Sequence, residues 1–173
     1  LRPQSDWDLE EAVEDADTFL ENALIKARHA AVHTGLPALA DDSGLVVPAL
    51  GGRPGIHSAR YGGEPRSDEA NNRRLLAEMR DLSGAERGAW FYCAMVLVQA
   101  PDDPAPLVAT AAWWGRILDA PRGSGGFGYD PLFHPDGEVL AAAELPAERK
   151  NRLSHRGQAS RALVKALSAV LAV

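Results

Sequence analysis

In "TFLENALIKARHAAVHT", residues 18 to 34, the apolar positions Phe19, Ala23, Ala27 and Ala30 return at helical spacing. Thr18 and Glu21 stand at capping-box separation and Gly35 follows, so the pattern predicts a helix bounded by Thr18 and Gly35. Lys26 comes seven positions after Phe19, within about 20° of it on the helix wheel, which sets an ammonium beside the apolar stripe. A lysine so placed ordinarily snorkels to solvent. "LPALADD" then reads as a short strand, and "GLVVPALGGRPG" as a strand end plus a loop punctuated by Gly and Pro. Ser67 as N-cap, acids in the first turn, and Leu75, Met79 and Leu82 at helical spacing predict a second helix over 68–82. "AWFYCAMVLVQ" is nearly continuous in apolar residues, as a central strand covered on both faces would be, and "PLVATAAWWGRIL" is its partner. The link "APDDPAP" is too short for a crossover helix, so these two strands are antiparallel neighbours. A Gly-rich segment at 123 to 128 leads into an irregular stretch to about 150. The chain closes in a helix from Ser154 to about Ala172, with Leu163, Leu167, Val170 and Leu171 as its stripe.

These elements sum to an α/β fold with a mixed sheet and helices on its faces, and no linker divides residues 1–173. A chain of 173 residues with 46% hydrophobic and 24% charged residues is long enough to bury one substantial core. The net charge of -6 and the absence of any Lys/Arg run beyond two residues argue against a polynucleotide-binding surface, though a few local cations can hold a small anion. Cys93 is the only cysteine, which excludes an internal disulfide and favours a reducing compartment. No leader and no apolar run of membrane-spanning length is seen, so the expected location is the cytoplasm, with no membrane partner.

Three stretches carry candidate chemistry. In Asp41-Asp42-Ser43-Gly44, a persisting strand would point the two carboxylates to opposite faces, one toward a pocket and the other toward hydrogen-bond donors. An ordinary Asp-Ser-Gly turn accounts for the same residues. Upstream, "LEEAVEDAD" supplies Glu10, Glu11, Glu14, Asp15 and Asp17, which read mostly as a solvated charge run. One of these acids facing Asp42 would make a hard-oxygen site suited to magnesium. In "PRGSGGFGYDPLFHPDG", glycines 123, 125, 126 and 128 allow close backbone approach around Phe127, whose ring can stack on a planar base, and Tyr129 and Asp130 follow at once. A hairpin loop with an incidental aromatic is the plain alternative. In "ERKNRLSHRGQASRALVKAL", Ser154 caps the last helix while His155 and Arg156 occupy its first turn, where a cation opposes the helix dipole unless an anionic or carbonyl-bearing ligand offsets it. Lys150 precedes them; each of these cations could equally turn outward.

Together, "TFLENALIKARHA", "ADDSG", "LGGRPGIHSARYGG", "GGFGYDPLF", "AEL" followed by "ERKN", and "SHRGQA" stand in the order of the inosine triphosphate pyrophosphatase (XTP/dITP diphosphatase) family, which the chain resembles from about Glu14 onward. The resemblance implies a two-lobed fold with a long mixed sheet and a cleft between the lobes, usually homodimeric. It implies hydrolysis of non-standard purine nucleotides (ITP, dITP, XTP) to the monophosphate and pyrophosphate, with Mg2+ as cofactor. Residue by residue it implies Asp42 as catalytic base, Glu14 and Asp42 as the magnesium-linked carboxylates, and Ser43 as a substrate contact. Lys26 and Lys150 would serve the phosphates, Phe127, Gly128, Tyr129 and Asp130 would form the base and sugar pocket, and His155 and Arg156 would read the purine. Family members begin with a strand, a Thr/Ser-x-Asn-x-x-Lys phosphate loop and a helix. This chain instead starts with "LRPQSDWDLEEAVEDADTF", and Ala16 stands where the family prefers glycine, so the resemblance implies an N-terminally incomplete unit. Two alternatives follow: a non-catalytic nucleotide-binding or dimerisation remnant, and a pyrophosphatase of the same fold acting on modified pyrimidines.

Overall fold

The computed structural model describes residues 1–172. Its helices and strands in chain order are α1 (Phe19–Thr34), β1 (Ala38–Val46), α2 (Asp68–Glu78), β2 (Gly88–Val98), β3 (Leu107–Ile117), β4 (Phe133–Pro135), α3 (Ala147–Leu153) and α4 (His155–Leu171), with short 3-10 turns between them. The architecture is α/β as the pattern predicts. Its sheet is not the mixed one expected but four-stranded and antiparallel, in the order β1-β2-β3-β4, each strand beside its successor in the chain, with Gly115, Arg116 and Ile117 of β3 opposite Pro135, His134 and Phe133 of β4.

The predicted start and stop of α1 hold. Thr18 Oγ1 accepts the Glu21 N–H at 3.2 Å and donates to the Glu21 carboxylate at 2.7 Å, and Gly35 ends the helix at φ 67. Its buried face is Asn22, Ala23, Ala27 and Ala31, so the stripe includes an amide. β1 runs unbroken through Asp41-Asp42-Ser43-Gly44, and the turn alternative there does not form. Between β2 and β3, the Asp103 carboxylate accepts the Gln99 N–H at 2.8 Å and the Ala105 N–H at 2.9 Å, and these backbone bonds hold its carboxyl below the usual value.

Three stretches depart from expectation. α2 ends at Glu78 rather than near 82: Arg80 and Leu82 bond three residues back, to Ala77 O and Met79 O, so the backbone tightens into 3-10 turns there, beside the buried Arg87. Arg87 Nη1 donates to Met79 O at 2.9 Å and Leu82 O at 3.2 Å, while Nε and Nη2 reach Ile117 O and Leu118 O at 2.8 and 2.7 Å. The stretch expected to be irregular up to 150 contains β4 and α3. Both are too short, at three and seven residues, to print a hydrophobic period. The stripe of α4 is buried at Leu163 but exposed at Val170 and Leu171.

The chain divides into two compact units. The first comprises Leu1–Asp42, Cys93–Ala111 and the chain from Ala159, and its buried apolar side chains are mostly small, among them Ala23, Ala27, Ala31 and Ala94. The second comprises Ser43–Tyr92 and Ala112–Gln158, and has a larger-grained core that includes Leu75, Met79 and Leu132. At its centre Phe91 meets Phe133 edge-on, with ring centroids 4.8 Å apart, and Trp113 lies 5.2 Å from Phe133.

Candidate active site

In the first unit, an acid from the N-terminal charge run and an acid from β1 meet on one lysine of α1. Lys26 Nζ lies 3.1 Å from Glu14 Oε2 and 3.0 Å from Asp42 Oδ1. The lysine on the apolar stripe therefore does not simply snorkel; it bridges two carboxylates. Exposure grades outward through the cluster, with side-chain values of 13% for Asp42, 24% for Lys26 and 38% for Glu14. Glu10, Glu11, Asp15 and Asp17 are exposed, as a solvated run would be. Burial, helped by the Glu14 charge, raises the Asp42 carboxyl above its ordinary value of 3.8, against the opposing pull of the Lys26 hydrogen bond and charge and of the nearby Asn22 amide. Asp42 Oδ2 is buried with no hydrogen-bond partner in the protein.

Strand alternation separates the two aspartates. Asp41 is reached by the Cys93 thiol, whose Sγ lies 3.9 Å from Oδ2, while Asp42 faces Lys26. The same alternation sets Ser43 on the Asp41 side of β1. Glu14 is located by a residue that the sequence pattern did not single out. The buried Asn22 accepts the Ala16 N–H at 3.1 Å and donates to the Ala16 carbonyl at 3.4 Å, which pins the extended segment two residues beyond Glu14. Its signal in the sequence is a polar residue next to Ala23 on the helix's buried edge.

Two carboxylates and an orphaned carboxylate oxygen suit one hard divalent ion. Magnesium is usually held by one or two carboxylates together with waters and substrate phosphates. Among the described residues no group of three or more His, Cys, Asp or Glu side chains gathers to make a full protein cage. Glu14 and Asp42 are the carboxylates that would hold such an ion, with waters and substrate phosphates completing its shell.

In the second unit, the Gly-rich loop carries an exposed ring over an ion pair between a half-buried lysine and a buried aspartate. Phe127 is 61% exposed, with Lys150 Nζ 4.6 Å and Arg156 Cζ 5.6 Å from its ring centroid. Lys150 is ion-paired with Asp130, which is 3% exposed and also accepts the Phe127 N–H at 2.8 Å. Gly126, at φ 76, has no space for a side chain, because a Cβ there would run into the Asp130 carboxylate. The side chain of Tyr129 turns inward rather than toward the ring, its hydroxyl donating to Ser58 O at 2.8 Å. Burial is the main reason its phenol titrates well above the usual value.

Ser154 caps α4 as expected, accepting the Gly157 N–H at 3.2 Å. The two residues after it part ways. Arg156 is exposed beside Phe127, whereas His155 is buried flat on Phe91, with centroids 4.9 Å apart and planes 8° apart. The structure thus brings together Phe127, Gly128, Asp130, Lys150 and Arg156 in one unit, and Glu14, Lys26 and Asp42 in the other.

The Ham1 family model matches residues 3–166. The chain is 56% identical over 170 residues to a dITP/XTP pyrophosphatase of Chromobacterium violaceum, covering 98% of this chain and 85% of that protein. It is 56% identical over 168 residues to a dITP/XTP pyrophosphatase of Methylococcus capsulatus, covering 97% and 84%. Among solved structures, a HAM1 protein from Coxiella burnetii superposes with a TM-score of 0.91 at 44% identity, over 96% of this chain and 84% of that one. The N-terminal departure expected from the sequence is not borne out, since the family match runs back to residue 3, through the segment expected to mark it.

Proposed function

Because this chain belongs to the Ham1 family, we propose that it hydrolyses non-standard purine nucleoside triphosphates such as dITP, ITP and XTP to the monophosphate and pyrophosphate. The observation that carries the reading is the junction of Glu14 and Asp42 on Lys26, with Asp42 Oδ2 left open. Cleavage between the α- and β-phosphates needs a water directed at the α-phosphorus and cations on the departing pyrophosphate. Asp42 is the base that orients and deprotonates that water. Lys26 makes two hydrogen bonds to carboxylates, which leaves its third ammonium proton for a phosphate oxygen. We assign magnesium to Glu14 and Asp42; when bound, it supplies charge neutralisation on the phosphate oxygens and lowers the pKa of water.

The base belongs with Phe127, whose open face is free to stack. Arg156 beside that ring offers N–H donors to the 6-carbonyl of hypoxanthine or xanthine, and adenine presents an amino group there instead. A site arranged to donate at that position discriminates strongly against the mismatched base. Lys150 keeps ammonium protons beyond its bond to Asp130 and is the second cation we assign to the substrate. His155, lying under Arg156 in sequence and on Phe91 in space, supports the start of α4.

Among the described residues no helix is long and apolar enough to cross a membrane. On the strength of the family resemblance we propose a homodimer. A non-catalytic role is not favoured, given relatives named as pyrophosphatases at 56% identity across 98% of the chain. The test is pyrophosphate release from a panel of dITP, ITP, XTP, GTP, ATP and pyrimidine triphosphates with magnesium. We expect the first three to be turned over at least about tenfold faster than ATP, as loss of a site-complementary donor or acceptor implies. Chelation should stop the reaction. Equal turnover of ATP, or preference for a pyrimidine, overturns the reading.

A further inference from the structure

The Phe127 ring is 61% exposed, and its ring contacts are two long, flexible cations, so packing does not aim it. On a glycine-rich loop, the direction of such a ring is set by its backbone. That backbone is gripped from α2. Asp68 Oδ2 accepts the Gly128 N–H at 2.6 Å, and Asn72 Nδ2 donates to the Gly128 carbonyl at 2.8 Å. Asp68 and Asn72 are four apart in a helix and therefore share a face, so one side of α2 holds both polar groups of the residue next to Phe127.

The grip is directional. Flipping the Asn72 amide would set its oxygen against the Gly128 carbonyl, and in the orientation found its own Oδ1 is buried with no hydrogen-bond partner. Leaving a buried acceptor unsatisfied is unfavourable, so the amide's geometry is not what fold stability alone would select. The frame behind it is firm. Ser67 caps α2 on the Ala70 N–H, and the buried Asn71 ties the helix to the loop before it, accepting from Gly62 N and donating to Ala59 O at 3.2 Å.

We propose that Asp68 and Asn72 are positioning residues that set the direction of the Phe127 ring and thereby the affinity for the nucleotide base. This rests on the base-stacking role given to Phe127 above. The test is a double-mutant cycle of Asn72→Ala and Phe127→Ala, with kcat and KM for dITP measured by pyrophosphate release. Asn72→Ala alone should raise KM about tenfold with kcat within about twofold, and in the Phe127→Ala background the same change should alter KM by less than about twofold. An equal rise in KM in both backgrounds overturns the proposal.

Asp68 gives a second series that tolerates a fold defect in the first. Asp68→Asn keeps an oxygen that can accept the Gly128 N–H and should have a KM within about twofold of the parent, while Asp68→Ala should resemble Asn72→Ala. Asn and Ala variants with the same KM overturn the proposal. If the parent protein releases no pyrophosphate, the function reading has failed instead, and the same cycle read as the Kd of ITP by calorimetry still decides this inference. A protein that binds no ITP overturns both.

Discussion

Asp42→Asn is expected to lower pyrophosphate release from dITP by about 10³-fold, the usual scale for loss of a positioned general base. The substitution is nearly isosteric and keeps an oxygen for Lys26, so it removes basicity and leaves shape. The fold should survive without penalty. Burial raises the Asp42 carboxyl above 3.8, which means that its ionised form is disfavoured in the folded protein. The sign follows: stability associated with protonated Asp42 is present at low pH and is lost as pH rises through the raised pKa. A neutral amide does not incur that loss, so in metal-free buffer at neutral pH the variant should be at least as stable as the parent. Urea unfolding followed by circular dichroism checks the second half of the prediction. A variant that retains a tenth of the parent rate would remove Asp42 from the role of base.

Asp130→Ala should have the largest effect on stability of any single change at the site. Asp130 is 5% exposed in its side chain, pairs with Lys150 at 15%, and holds the Phe127 N–H. Removing one partner of a pair at that depth leaves an ammonium without its counter-charge, at a cost of about 3–5 kcal/mol. The expected reading is a fall in unfolding free energy of that size, together with a KM for dITP raised at least about tenfold in whatever protein remains folded, because Phe127 loses its backbone anchor. Asp130→Asn, which can still accept from Phe127, should lose less on both counts. A stability loss below about 1 kcal/mol would mean that the pair is a solvated contact.

How much of this was legible in the residues differs by element. α1 was readable to the residue because Thr18, Glu21 and Gly35 encode its ends locally. β2 and β3 were readable as strands from their apolar, branched and aromatic runs, but not in environment: β2 alternates buried with half-buried positions instead of being covered on both faces, and β3 exposes Val108 and Trp114. The end of α2 was not, since Leu82 continues the apolar period past Glu78 although the backbone there has already tightened into three-residue turns. The lysine of the carboxylate cluster illustrates the same limit. Helical spacing set Lys26 beside the apolar stripe, but only the fold shows that Glu14 and Asp42, 12 residues before it and 16 after, converge on it. Alternation along β1 correctly separated Asp41 from Asp42, whereas nothing local told that His155 lies flat in an aromatic cluster while Arg156, its neighbour, lies at the surface. Nor did any motif mark Asn22, Asp68 or Asn72, whose amides and carboxylate hold the backbone beside Glu14 and Phe127.

The most direct test of the central claim is the fate of solvent oxygen during hydrolysis of dITP in ¹⁸O-labelled water. Water directed by Asp42 at the α-phosphorus puts the label in the nucleoside monophosphate, with unlabelled pyrophosphate as the only other product. Label in pyrophosphate, or release of orthophosphate from the γ position, would contradict the account.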